Sequence, residues 1–232
     1  MFKIQQAIVF FLGLFTTTYA QINSAEYAIK ISDVEIKNSS LSEMYKIAQA
    51  NVDYVSFQLK FNKDKSEFSI IDNLELEENT IKLVKIFSKY KGKIFIENDS
   101  VYSEKEIDNK DYILISNFNF EWEVTNENKK IGNYVCYKAI GEQIVTNKTN
   151  IIHLPITAWF CPEIPFQFGP NGFGKLPGLI FELQVDSVTY GLKSLKMNEI
   201  KLKFSKIDTN KIISKEKYDE IINKNNLYLI EN

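Results

Sequence analysis

Arginine is absent from the 232 residues. All 28 basic side chains are lysine, so tight phosphate recognition loses its usual bidentate reader. The formal net charge is −2, or −3 once Lys3 is removed with a leader. Neither sign dominates, and nucleic acid is not an expected partner. Histidine occurs once, at His153, so any Ser-His-Asp system would have to use it as base. No G-x-S-x-G, H-E-x-x-H, P-loop or C-x-x-C motif occurs, and no cofactor is expected. Long apolar runs are also missing. The longest apolar run, Ala7 to Phe15, is too short for the roughly 20 residues that span a bilayer. The mature chain is therefore expected to lack a membrane span.

That short run fits a different purpose. Met1-Phe2-Lys3 gives a positive start, the apolar run follows, and Thr18-Tyr19-Ala20 offers small residues at the positions a signal peptidase reads. Residues 1–20 are expected to be a cleaved signal peptide, with residues 21–232 forming one domain. The expected location is the periplasm or outer membrane, or outside the cell. Only two cysteines are present, Cys136 and Cys161. In an oxidising compartment a disulfide is the simpler expectation, stabilising by roughly 3 kcal/mol in the chain-entropy model. Two separately packed thiols are the alternative.

Apolar residues make up 44% of the chain, with 17 Phe and 12 Tyr, which is ample for a core. Period-2 alternation dominates and predicts strands. Val55–Phe61 and Phe68–Ile70 flank a turn at 62–65. Lys93–Ile96 and Val101–Tyr102 flank Asn98-Asp99. Further strands are expected around Tyr27–Ile31, through a long aromatic stretch from Tyr112 to Trp122, and at 135–140, 151–160, 179–185 and 200–204. Ser40 and Glu43 have capping-box spacing, predicting a helix of about ten residues. A short helix is expected around Ile81, Val84 and Phe87, and a terminal one over 215–223, docked by Tyr218. The expected fold is mainly β: one strongly curved, mostly antiparallel sheet or half-barrel, with about ten strands and two or three short helices.

Four of the five prolines and four of the nine glycines fall between Pro162 and Gly178. Such density predicts a long ordered loop with several fixed φ angles. Its large apolar residues must cap the core or line a groove, since each is worth about 1.5–3 kcal/mol when buried. The loop reads Glu163-Ile164-Pro165, Gly169-Pro170 and Leu176-Pro177-Gly178-Leu179-Ile180. Upstream stand Trp122 and the block Lys130-Ile131-Gly132-Asn133-Tyr134-Val135-Cys136-Tyr137-Lys138-Ala139. Together these residues resemble the GLPGLI family of exported Bacteroidetes proteins. The resemblance covers about 60 residues and implies kinship and export, with no known catalytic role. Two positions depart from it. Lys175 stands where the family has a glycine, implying strain if that residue takes positive φ, and Cys161 stands where a small hydroxyl residue is usual.

Candidate chemistry follows from these residues. Trp122, Tyr134, Trp159, Phe166, Phe168 and Phe173 form a candidate set for an apolar or peptide ligand. Glu163 is expected to accept backbone N–H groups that hold the loop. Glu121 and Glu123, joined by Glu163, are the carboxylates a hydrolase would use. Cys136, Cys161 and His153 have ligand types that suit Cu(I) or Zn(II). The favoured expectation is an exported, non-catalytic binding or accessory protein that holds an apolar or peptide ligand or supports outer-membrane uptake proteins. The alternatives are a carboxylate-based hydrolase, a soft-metal handling protein, or a structural surface component.

Overall fold

A computed structural model describes residues 21–71, 76–118, 120–146, 151–199 and 202–224. The expected export signal lies outside these residues. Strands β1 (Ile22–Ile31), β2 (Ser56–Phe61), β3 (Lys65–Ile71), β4 (Ile94–Glu97), β5 (Ser100–Ile107), β6 (Lys110–Asn117), β7 (Glu123–Ile131), β8 (Tyr134–Thr146), β9 (Ile151–Cys161), β10 (Leu179–Val185), β11 (Val188–Glu199) and β12 (Ile212–Ile213) form one sheet. Helices α1 (Ser39–Asn51), α2 (Glu78–Phe87) and α3 (Lys215–Lys224) complete the fold. The sheet order is β12-β6-β5-β4-β3-β2-β1-β11-β10-β9-β8-β7. Every pairing is antiparallel except that of β12 with β6. The chain thus lays two meanders outward from β1. One runs through β2 to β6, and the other returns from β7 to β11.

The chain connectivity forces curvature. Residues 118–122 carry the chain from β6 at one side of the sheet to β7 at the other. Six residue steps reach about 20–22 Å at full extension. In a flat sheet the ten strand spacings between β6 and β7 would cover about 48 Å. The sheet must curl until the crossover can bridge its ends. The expected curved, mainly β architecture is what the structure has.

The inner face carries the core. Phe57 stacks on Phe68 at 5.5 Å, and Tyr190 meets both edge-on. Tyr27 and Tyr190 are fully buried, and each hydroxyl donates to a backbone carbonyl, of Ile180 at 2.6 Å and of Ser88 at 2.8 Å. Buried phenols need such partners. Helices α1 and α2 pack together over this face. Tyr45 meets Phe87 edge-on at 5.2 Å and donates to the Ser32 carbonyl. On the outer face, Glu67 is buried and holds the segment after β11. It accepts from the Ser205 N–H at 2.6 Å and from Lys60 at 3.0 Å. Burial pushes its carboxyl up, but these donors and Lys93 hold it below the ordinary range.

Several sequence expectations are corrected. The cap of α1 is Asn38, whose Oδ1 accepts the Leu41 N–H at 2.9 Å; Ser40 lies inside the helix. The aromatic stretch from Tyr112 to Trp122 is not one strand, because β6 ends at Asn117. Residues 202–204 are not strand, and Ile200 lies outside the described residues. Strands β7 and β11 were not expected. Strand β7 is rich in polar residues and lacks a clean apolar alternation, whereas β11 alternates over Val188, Tyr190 and Leu192 before it turns polar.

Candidate functional site

The proline- and glycine-rich loop between β9 and β10 fills the concavity of the sheet. Its backbone satisfies itself. Ile164 donates to Cys161, Lys175 to Gln167, Leu179 to Ile164 and Ile180 to Phe168, all within 3.2 Å. Gly178 is required where it stands, since a Cβ there would lie 2.2 Å from the Cys161 carbonyl oxygen. Gly174 is equally tight, with Gln167 oxygen at 2.3 Å and the Phe118 ring at 2.5 Å from such a Cβ. The loop tip is pinned by Asn171, buried at 1% exposure with φ of 54°. Its amide donates to the Lys89 carbonyl at 2.8 Å and accepts the Lys91 N–H at 3.1 Å, tying the tip to the end of α2. Lys175 adopts φ of 67°, as its departure from the glycine pattern implied. It pairs with Asp99 and lies 4.9 Å from the Phe118 ring centre.

The six candidate aromatics do not share one pocket. Trp122 and Phe173 meet edge-on beside Phe120, and the Trp122 indole donates to the Gly174 carbonyl at 2.8 Å. Phe168 stacks on Phe118. Phe166 packs on Phe61, and Tyr134 on Phe181. Trp159 lies on the opposite face of β9 from buried Phe160, beneath the Lys129 ammonium at 4.3 Å. Of the two expectations for the loop, capping the core describes what these residues do. Glu163 accepts the Val135 N–H at 3.4 Å, a long hydrogen bond that holds the loop's start against β8.

Cys136 and Cys161 are neighbours on β8 and β9, both fully buried, and both are free thiols. The expected bridge is not formed. The Cys136 thiol donates to the Cys161 sulfur, which also accepts the N–H groups of Glu163 and Ile164. Burial pushes the Cys136 thiol up to about 12, and it raises Cys161 as well. Burial thus disfavours the reactive thiolate form at both positions. His153 stands eight residues before Cys161 on β9, roughly 26 Å away along an extended strand. It is exposed and pairs with Glu142 at 2.8 Å. The three groups therefore cannot share a metal, and no cluster of three metal-ligating side chains occurs among the described residues. Glu121 and Glu123 are exposed. Glu123 faces Ile140, whereas Glu163 sits at Val135, about 16 Å further along β8. These carboxylates share no cleft.

Two grooves stand open at the surface. One, of about 670 Å³, lies between α2, β5, β6 and the segment before β12. Its wall carries Glu104, raised by desolvation and by Asp111 against the pull of Lys93. Two of its lysines are engaged. Lys211 pairs with Asp111 at 3.0 Å, and Lys93 donates to Ser205 at 2.7 Å. The second groove, of about 510 Å³, runs between α1 and α2 and is lined by Ser40, Glu43, Met44, Ile47, Asn79, Lys82 and Leu83. Tyr45 and Ala48 turn α1 inward, leaving Leu41, Met44 and Ile47 exposed. Helical spacing sets Leu41 and Met44 beside Tyr45 and Ala48, yet only the latter two are buried. Ile47 was missed, although its spacing from Met44 and Ser40 carried the signal.

Comparison with known proteins bears on the same region. A family described as a protein of unknown function (Porph_ging), associated with Bacteroidetes, matches residues 142–182. Those residues run from the far end of β8 through β9 and the loop into β10. No curated protein matches the chain. Two solved structures of PNGF-II, in space groups C2 and P21, share the fold with a TM-score of 0.50. They are 16% and 17% identical and match 88% of this chain. The chain spans about a third of the length of those structures, 33% and 34%.

No helix among the described residues is long and apolar enough to cross a membrane.

Proposed function

We propose that this chain is an exported, non-catalytic binding or accessory protein of the cell envelope that holds an apolar or peptide ligand between α1 and α2. The observation that carries this reading is the uncovered stripe of Leu41, Met44 and Ile47 beside Leu83. Methionine is common on surfaces that adapt to varied apolar partners. The sheet's own concavity is unavailable, since the loop occupies it. The placement of the titratable groups supports binding over catalysis. The thiols are buried, His153 stands on an exposed hairpin, and Glu163 lies apart from Glu121 and Glu123. The family resemblance at 163–180 supports export and GLPGLI kinship.

Intact mass of the protein recovered from its host envelope tests the reading. The denatured chain is expected to begin at Gln21. The native protein is expected to carry extra mass that is lost on denaturation, and Met44→Lys is expected to abolish it. A ligand-free native mass, together with no binding of amphipathic peptides by the wild type, would refute the groove as a binding site.

A further inference from the structure

Sheet edges are templates for pairing, and proteins blunt them with charge, bulges, proline or brevity. Among the described residues this sheet blunts most of its edges in those ways. Strand β7 carries Glu123, Glu127, Lys129 and Lys130, and its register shifts between Val124 and Asn128. Strand β12 is only two residues long. The far ends of β8 and β9 are different. Strand β7 pairs with β8 only as far as Ile140, and β10 pairs with β9 only as far as Ile156. Residues 142–146 and 151–154 pair with each other alone, as a two-stranded ribbon standing beyond both neighbours, and next to them Pro155 accepts the Asp186 N–H at 3.2 Å. The β9 edge of this ribbon is blunted by Pro155, which has no N–H to offer. The β8 edge has no such device. From Gln143 to Thr146 it carries no charge. The one nearby acid, Glu142, is engaged by His153 at 2.8 Å. Beside this edge Ile144 and Ile151 are 60% and 63% exposed.

We infer that the β8 edge at 142–146 pairs with the same edge of a second copy, about a twofold axis through Ile144. The sequence is self-complementary in that register. Antiparallel pairing sets Ile144 opposite its own counterpart, Gln143 opposite Val145, and Glu142 opposite Thr146. No like charges meet, so the pairing avoids the cross-strand repulsion that would oppose it. The contact is isologous, as a twofold dimer requires. Its register places Ile144 and Ile151 of both copies on one face of a four-stranded ribbon. Five residues a side make a small interface, so the dimer is a weak, concentration-dependent one.

Sedimentation of the chain from Gln21 across a range of concentrations tests this. A dimer fraction that rises with concentration is expected. Ile144→Lys sets two ammonium groups opposite each other and is expected to weaken association at least tenfold. Ile144→Val keeps the edge apolar and is expected to retain it. Both variants should melt at the wild-type temperature, because Ile144 is exposed. Hydrogen exchange at 142–146 is expected to slow as the wild type dimerises. A wild type that stays monomeric at every concentration would overturn the inference. So would a dimer that Ile144→Lys leaves intact. Neither result bears on the groove between α1 and α2.

Discussion

Strand β9 begins in a ribbon whose isoleucines stand in water and ends in a loop whose aromatics do not. Both regions are rich in large apolar side chains, and both lie within the residues that match one family. Ile144 and Ile151 are mostly exposed, whereas Phe168, Phe173 and Leu176 are buried. The difference lies in what surrounds each. The loop has the sheet's concavity on one side and the crossover at 118–122 on the other, so every apolar group finds a partner. The ribbon has outrun its neighbours on both sides. Apolar content alone therefore does not mark a binding surface, because position relative to the rest of the sheet decides it.

The sharpest way to break this contrast is to hollow the loop. Phe173 touches Phe120 at 5.3 Å and lies 4.5 Å beneath the Lys91 ammonium. Phe173→Ala is expected to cost about 3–5 kcal/mol, as for other buried aromatics, read as a lowered urea midpoint with an unchanged slope. A loss below about 1 kcal/mol would mean the loop does not share the core. Asn171 tests the same docking through polar contacts. Asn171→Ala orphans the Lys89 carbonyl and the Lys91 N–H and also places alanine at positive φ, so about 2–4 kcal/mol is expected. Asn171→Gly tolerates that φ and should recover part of the loss, separating backbone strain from the missing hydrogen bonds.

Much of this contrast could be read in the sequence, and the unread part has identifiable causes. The hairpins β2–β3 and β4–β5 were legible because their apolar residues alternate and their turns carry Asn and Asp. The loop was legible from its prolines and glycines, and so was its need to be buried. The break at Phe118 was not. Phe118, Phe120 and Trp122 keep a period of two, but an extended crossover packed on one side shows the same period as a strand. Strand β7 escaped notice because a charged edge strand has no buried face to reveal it. The ribbon was hidden for a related reason. Ile151, Ile152 and Leu154 read as core strand, and only the register of β7 and β10 shows that nothing covers them. The bridge expected from the cysteine count and the compartment is not formed, and Cys136 and Cys161 pack instead as neighbouring buried thiols.

The smallest expected effect is the one that fixes the ribbon's side of the comparison. Ile151→Thr keeps β-branching and strand propensity while removing exposed apolar surface. If the ribbon is free of the rest of the monomer, the substitution changes its stability by no more than about 0.5 kcal/mol, as for other surface sites. Urea denaturation at low protein concentration, where the monomer prevails, measures this without interference from association. A cost above about 1.5 kcal/mol would mean that Ile151 is packed within its own chain. The ribbon would then belong to the core, as the loop does, and its edge would not be available to a second copy.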